Sequence, residues 1–312
     1  MPHHPTAVTR RQGLKTAAIA AVTVPFFGAQ ESTATTEAPA PATIAERGSR
    51  GRGGRLDVMT FNVRFASDTG THSWPVRRPV MRELLRAAQP HVIGAQEVLY
   101  QQLRDIEADL GPHYDWIGTG RGGGSKDEFM AVIYDTRRMA PIEFDHFWLS
   151  DTPYTIASNT WGADWLRMVT WVHFRDLQVE GQEFYVLNTH LDNVSQYARK
   201  RSVRLIGERM AEFDRSLPVV VTGDFNVPAH RNSVYDEMLD LGLVDVWDAA
   251  EERGELFGTF HGYKPLVPDG KRIDWILATP GVKAHRAWID TFSRDGQFPS
   301  DHLPVQATLT LG

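Results

Sequence analysis

Two short segments carry the clearest chemistry in this chain. Gly223-Asp224-Phe225-Asn226 and Pro299-Ser300-Asp301-His302-Leu303-Pro304 each set compact ionisable or hydrogen-bonding side chains at the end of an apolar run. An Asp–His pair can hold a metal ion or move a proton. An Asp-x-Asn on a strand sends both polar side chains to one face, because strand side chains alternate. Other apolar runs end in the same way. Asn62 follows Leu56–Phe61, Gln96-Glu97 follow Val92–Ala95, and Asn188-Thr189-His190-Leu191-Asp192 follow Phe184–Leu187. Asp274 sits inside Arg272–Leu277. Charges at the ends of buried strands cost stability unless they are paired or bind a metal. So many in one chain argue for convergence on a hydrolytic centre.

The donors are hard oxygens, and the chain has no cysteine. That excludes disulfides, zinc–thiolate sites, thiol catalysis and a lipoprotein anchor. It favours Mg²⁺ or Mn²⁺, with Ca²⁺ also compatible. Mg²⁺ retains waters and takes one or two carboxylates, so Glu97 and one Asp would suffice. An anionic phosphoester suits such a site: the ion offsets developing charge and a carboxylate activates water. Gly118–Gly124 lacks the Lys-Ser/Thr pair of a P-loop and reads as a flexible loop.

Strands and helices must position these groups. The apolar runs Leu56–Phe65, His91–Ala95, Phe129–Tyr134, Met168–Phe174, Phe184–Thr189 and Leu217–Thr222 read as strands, as do Ile273–Ala278, Ala284–Asp290 and Leu303–Leu311. Helical spacing marks Val76–Gln89, with Val80, Met81, Leu84, Leu85 and Ala88 on one face and Pro79 in the first turn. Tyr100–Leu110 is a second helix, stopped by Gly111-Pro112. Gln196–Phe213 is the third, with Val203, Ile206, Met210 and Phe213 as its buried stripe. There is no internal repeat, so residues 55–312 read as one mixed α/β domain.

The N-terminal residues read differently. Arg10-Arg11 in a basic stretch precede the apolar run Thr16–Phe27, the pattern of a twin-arginine-type signal over residues 1–30. That predicts export from a bacterial cell. The apolar run is 12 residues, and a membrane span needs roughly 20. Residues 31–54, rich in Ala, Pro, Gly and Arg, read as a flexible linker. The formal net charge is -6, which gives no support for a face that grips long duplex nucleic acid.

In order, Thr60-Phe61-Asn62-Val63-Arg64, Gly94-Ala95-Gln96-Glu97, Asn188-Thr189-His190, Gly223-Asp224-Phe225-Asn226, Arg272-Ile273-Asp274 and Ser300-Asp301-His302 resemble the motif set of the endonuclease/exonuclease/phosphatase family. Each motif alone is weak; six in order are specific. The resemblance spans nearly all of residues 56–312. It implies a four-layer α/β/β/α sandwich, two mixed sheets flanked by helices, as in pancreatic-type deoxyribonucleases.

The resemblance also implies roles. Glu97 is the main metal ligand, Asn62 supports the metal or its water, and Asp301 sits near the metal. Asp224 orients or deprotonates the attacking water, and Asn226 holds a phosphate oxygen. His190 binds phosphate or assists the leaving group. Asp274 fixes His302, which stabilises the pentacoordinate phosphorus. Family members often carry an Arg at the position of Arg167, read here as reaching the phosphate. Asp192 reads either as a ligand or as a partner of Arg199 on the following helix, and both are held as substrate-side candidates.

Trp148, Trp161, Trp165 and Trp171 crowd the stretch around the loop-like residues 150–164, and Gly258–Tyr263 is a second aromatic loop. These could stack on a base or sugar, or pack between sheet and helix. The expectation is a secreted, monomeric phosphoesterase for a small soluble ester, a phosphodiester before a monoester, or a short oligonucleotide. A secreted nuclease is the alternative, and a non-catalytic binding module on the same scaffold comes behind it.

Overall fold

The structure, a computed structural model, describes residues 54–66 and 69–312. The expected signal segment and all of the expected linker except Gly54 lie outside the described residues. Strand β1 (Arg55–Asn62) leads through helix α1 (Trp74–Ala88) to β2 (Val92–Val98), which pairs parallel with it. Helix α2 (Tyr100–Leu110), β3 (Tyr114–Ile117) and β4 (Phe129–Asp135) follow. The chain then builds a second sheet from β5 (Met139–Trp148), β6 (Met168–Asp176) and β7 (Glu183–His190). Helix α3 (Gln196–Met210), β8 (Val219–Asp224), α4 (Ser233–Asp240), β9 (Val244–Asp245) and α5 (Val246–Ala249) come next. Then come β10 (Glu252–Arg253), β11 (Asp274–Ala278), β12 (Lys283–Ile289) and β13 (Val305–Thr310). One sheet has the order β10-β12-β13-β1-β2-β4-β3 and the other β5-β6-β7-β8-β11-β9. Both mix parallel and antiparallel pairs, as expected.

Alternation along the strands explains the layers. Val58 of β1, Val132 of β4, Val186 of β7, Val220 of β8 and Ile276 of β11 share one core between the sheets. Their neighbours face outward: Ile93 and Ile133 meet Met81, Leu84, Leu85 and Ile106 of α1 and α2. On the other side Leu187, Val221 and Leu277 meet Val203, Ile206 and Met238 of α3 and α4. Each fully buried Val, Leu or Ile contributes about 1.5–3 kcal/mol. The result is four layers, α/β/β/α.

Helix α1 begins two residues before its expected start, so Pro79 lies in its second turn and Pro75 takes the first-turn place. Helix α3 closes at Met210, and Phe213 packs beyond it against Tyr185. Strands β3, β5, β9 and β10 and helices α4 and α5 are not among the expected elements. Strand β5 holds Pro141 and a register shift before Glu143, which an edge strand tolerates.

A polar seam joins the sheets beneath one end of the core. Gln96 Nε2 donates to Thr60 Oγ1 at 3.1 Å and to Asn188 Oδ1 at 2.7 Å. Thr222 Oγ1 donates to Leu187 O and Asn188 Oδ1, and Asn188 Nδ2 donates to Ala95 O and Ala131 O. All four side chains are fully buried. Gly94 makes this approach possible: a Cβ there would lie 2.0 Å from Thr222 Oγ1.

Candidate active site

The same alternation places the chemistry one step beyond the seam. On β1, Val58, Thr60 and Asn62 share the inner face; on β7, Val186, Asn188 and His190 do; on β8, Val220, Thr222 and Asp224 do. Register then sets His190 and Asp274 beside Asp224, one from each neighbouring strand. Asp224 Oδ2 is the hub. Asn62 Nδ2 donates to it at 3.0 Å, His190 Nε2 lies 3.4 Å away and His302 Nε2 3.8 Å away. Asn62 Nδ2 also donates to Glu97 Oε1 at 2.9 Å. Thus Asn62, Glu97, His190, Asp224, Asp274 and His302 are brought together across both sheets.

Glu97 and Asn226 both have left-handed backbones, with φ of 60° and 56°. Such residues cost about 1–3 kcal/mol and cluster at functional sites. Glu97 lies where β2 and β4 slip register, a bulge that re-aims its side chain. Asn226 corrects the strand reading: β8 ends at Asp224, and the turn that follows breaks the alternation. Its N–H donates to Asp224 Oδ1 at 2.9 Å and its side-chain amide to Leu191 O at 3.0 Å. Strand β7 likewise ends at His190, so Asp192 lies in a loop rather than on the strand face.

His302 Nδ1 lies 3.0 Å from Asp274 Oδ2. Burial alone would lower the imidazole, but Asp274 and Asp224 outweigh it and raise its pKa to about 10. Burial, then repulsion from Asp274, pushes the Asp224 carboxyl up to about 7 against the pull of His302. Burial holds His190 well below its usual value, and the charges of Arg167, Arg121 and His302 add to that. The site therefore pairs one imidazolium with one neutral imidazole around a carboxyl that titrates near neutrality. Because His302 is raised in the folded protein, its stabilisation is complete below its ordinary value. It is lost as pH rises through about 10. The thermal midpoint is expected to fall between about pH 6.5 and about pH 10, and to fall less in His302→Gln. Equal falls in the two proteins would refute the assignment.

Asp301 is held differently from the other carboxylates. Its Oδ2 pairs with Arg64 Nη1 at 2.5 Å. Among the described residues, two groups have ligand atoms within 4.8 Å of one another at this site: Glu97/His190/Asp224 and Asp224/Asp274/His302. Asp301 belongs to neither. Arg64 was not singled out by the sequence reading, although it closes the motif that contains Asn62. Buried Arg77, also unmarked, ties the segments together. Its guanidinium donates to the carbonyls of His72, Val63, Pro299, Arg64 and Phe65 at 2.7–3.2 Å. Ser300 Oγ donates to Asn62 O at 2.7 Å, a second stitch between the same two segments.

Arg167 is 5% exposed, and its Nε and Nη1 have no hydrogen-bond acceptor among the described residues. Nη2 donates to Asn193 Oδ1 at 3.2 Å. Arg121 comes from the glycine-rich segment read as a flexible loop. That segment is a hydrogen-bonded turn, with Gly120 N–H donating to Gly124 O and Gly122 N–H to Lys126 O. Arg121 is buried and pairs with Glu128 at 2.8 Å and Asp127 at 3.0 Å. Burial raises Glu128 to about 7, with Arg121 opposing and Glu97 adding. Asp192 and Arg199 organise loops. Asp192 accepts N–H groups of Asp164, Val194 and Ser195, and its carboxylate does not pair with Arg199. Arg199 donates instead to Asp192 O and Gln196 Oε1, so its donors are spent on the start of α3.

The donor set fits a hard divalent cation. Glu97 and Asp224 offer oxygens, while Asn62 turns its amide N–H toward both and accepts the Arg64 N–H on Oδ1 at 3.0 Å; the raised Asp224 carboxyl marks a cluster short of positive charge. A third group, His230, Asp245 and Asp248, lies apart and is already served by Arg272 and Tyr235. Of the tryptophans flanking the loop, Trp148 and Trp161 are buried, Trp171 is half-buried and Trp165 is exposed. Phe260 is exposed, with its ring centroid 5.0 Å from that of His302.

Comparison with known proteins agrees with this geometry. A mannosyl-6-phosphatase from Bacteroides thetaiotaomicron VPI-5482 is 34% identical, with a TM-score of 0.75 over 82% of this chain and 99% of that one. An endonuclease/exonuclease/phosphatase family protein from the same species is 33% identical, with a TM-score of 0.77 over 83% and 98%. Protein angel of Drosophila melanogaster is 25% identical over 165 residues, 49% of this chain and 44% of that protein, so the chain matches less than half of its length. The model of the endonuclease/exonuclease/phosphatase family matches residues 59–302. The chain belongs to the endonuclease/exonuclease/phosphatase family.

Proposed function

We propose that this chain is a divalent-metal-dependent phosphoesterase whose ester is a sugar phosphate, cleaved by in-line attack of water. The observation that carries the reading is the convergence of Asn62, His190 and His302 on Asp224 Oδ2, with Asp274 charging His302. Asp224 is the base that orients the water and takes its proton. The His302 imidazolium faces the developing charge on phosphorus, and Asp274 fixes its ring. Neutral His190 can donate one hydrogen bond to a phosphate oxygen. Asn226 follows Asp224 in the turn, and the Arg167 charge acts on His190, with Nη1 free of any acceptor among the described residues. Bound at Glu97, with the Asn62 amide turned to offer its oxygen, the ion would supply positive charge to the phosphate oxygens and favour the ionised form of Asp224.

The similarity to a mannosyl-6-phosphatase favours a monoester over the diester expected from the sequence. Export and a monomeric state belong to the proposal as well, export resting on Arg10-Arg11 and the apolar run that follows. Among the described residues no helix is long and apolar enough to cross a membrane. Chelation is expected to lower hydrolysis of sugar phosphates by at least about 100-fold, with recovery on adding Mg²⁺ or Mn²⁺. A rate indifferent to chelator would refute the reading. A panel of sugar phosphates, phosphodiesters, DNA and RNA assayed with and without chelator decides the ester.

A further inference from the structure

We infer that Trp165 is a specificity-determining residue, the platform on which the sugar ring of the leaving group lies. The inference rests on the sugar-phosphate reading above. The chain has nine tryptophans, and Trp165 is the one left exposed, at 56%. Burying so large an apolar side chain would stabilise the fold by about 2–3 kcal/mol, so its exposure calls for another use.

Its surroundings hold it still. Asp164, the preceding residue, donates its N–H to Asp192 Oδ2 at 3.2 Å, and Asp192 also caps the turn into α3. The Arg121 guanidinium lies 5.7 Å from the Trp165 ring centroid. Arg121 is itself fixed by Glu128 and Asp127. A cation over the ring is worth about 0.5–1 kcal/mol at an exposed site. Ile156 of the same loop rests on Gly123, where a Cβ would meet Ile156 Cγ2 at 2.7 Å. The loop of residues 150–164 and the turn around Arg121 thus form one rim.

The rim borders the anion end of the site. Arg167 is two residues from Trp165, and the Arg121 charge is felt at His190. An aromatic face is electronegative, and the C–H face of a pyranose is weakly electropositive. A sugar lying on Trp165 would carry its phosphate toward Arg167, whose Nη1 has no acceptor among the described residues and whose Nε has only the Asp192 carboxylate, 3.9 Å away. An acyclic phosphate would reach Arg167 without touching the platform.

The test compares mannose 6-phosphate with glycerol 1-phosphate on the full chain, wild type and Trp165→Ala. Binding is read by calorimetry in chelator and hydrolysis in Mg²⁺. Trp165→Ala is expected to raise Kd for mannose 6-phosphate about tenfold and to leave glycerol 1-phosphate within about twofold, with Trp165→Phe between. An equal effect on both ligands, no effect, or no binding of mannose 6-phosphate by the wild type would overturn the platform. Selective binding without hydrolysis in Mg²⁺ would retain the platform and overturn the phosphoesterase reading instead.

Discussion

Asp224→Asn is expected to lower kcat by about 10³–10⁴-fold while the protein stays folded. The side chain keeps its shape but loses the basic oxygen on which Asn62, His190 and His302 converge. A general base accounts for about 10²–10⁴ in rate, and this one also supplies much of the negative charge that keeps His302 protonated. The upper end of the range is therefore the expectation. The fold should tolerate the change, because a carboxylate already pushed up by burial is being replaced by a neutral amide. Steady-state kinetics with a thermal melt on the same sample is the check. A variant that folds and retains a tenth of the wild-type kcat would rule out Asp224 as the base.

Arg77→Met should be the most damaging change to the fold away from the reacting groups. Five carbonyls lose a donor, and Arg64 O keeps a second one, Gln102 Nε2 at 2.9 Å. Leaving a buried carbonyl unsatisfied costs about 1–3 kcal/mol, so with several affected at once a loss of about 3–5 kcal/mol is expected. For a domain of this size that lowers the thermal midpoint by about 10 °C. Arg77→Lys keeps the charge but loses the planar fork, and should fall between. Denaturant midpoints measure both. A loss below about 1 kcal/mol in Arg77→Met would show that other contacts hold residues 63–65 against Pro299.

Much of the frame was legible because the strands are apolar on both faces and end in polar groups. The bounds of α2 were read as they stand, and β1, β2, β7 and β8 lie within a few residues of their expected places. Asn62, His190 and Asp224 close strands and Asp274 opens one, Glu97 sits at the bulge near the end of β2, and His302 lies in the loop just before β13, so the six come together at one end of the sheets. Strand β5 was invisible because residues 141–145 are exposed and contain a proline, a pattern shared with loops. Asn226 and Asp192 were placed by alternation, which stops where the strands stop. Arg64, Arg77, Arg121 and Glu128 were illegible for another reason. Arg64 in its loop and Arg77 on α1 acquire meaning only from partners far along the chain, Asp301 for Arg64, 237 residues away, and Pro299 O for Arg77. Arg121 and Glu128 are near neighbours, but their pairing depends on the turn between them. Arg199 misled in the converse way, since its position on α3 suits either a substrate or the loop it in fact supports.

The seam of Thr60, Gln96, Asn188 and Thr222 has a consequence for how this protein would fail on heating. Asn62 and Glu97 ride on one sheet, and His190, Asp224 and Asp274 on the other. The polar layer directly beneath them is the nearest device that fixes their separation. Hydrogen bonds between sheets tolerate sliding far less than the valine and isoleucine contacts behind them. A small shear of one sheet over the other would therefore pull the reacting groups apart while both sheets, and the helices covering them, remained intact. Catalytic competence would be lost as a local event at the seam, at a temperature below that at which the chain as a whole comes apart.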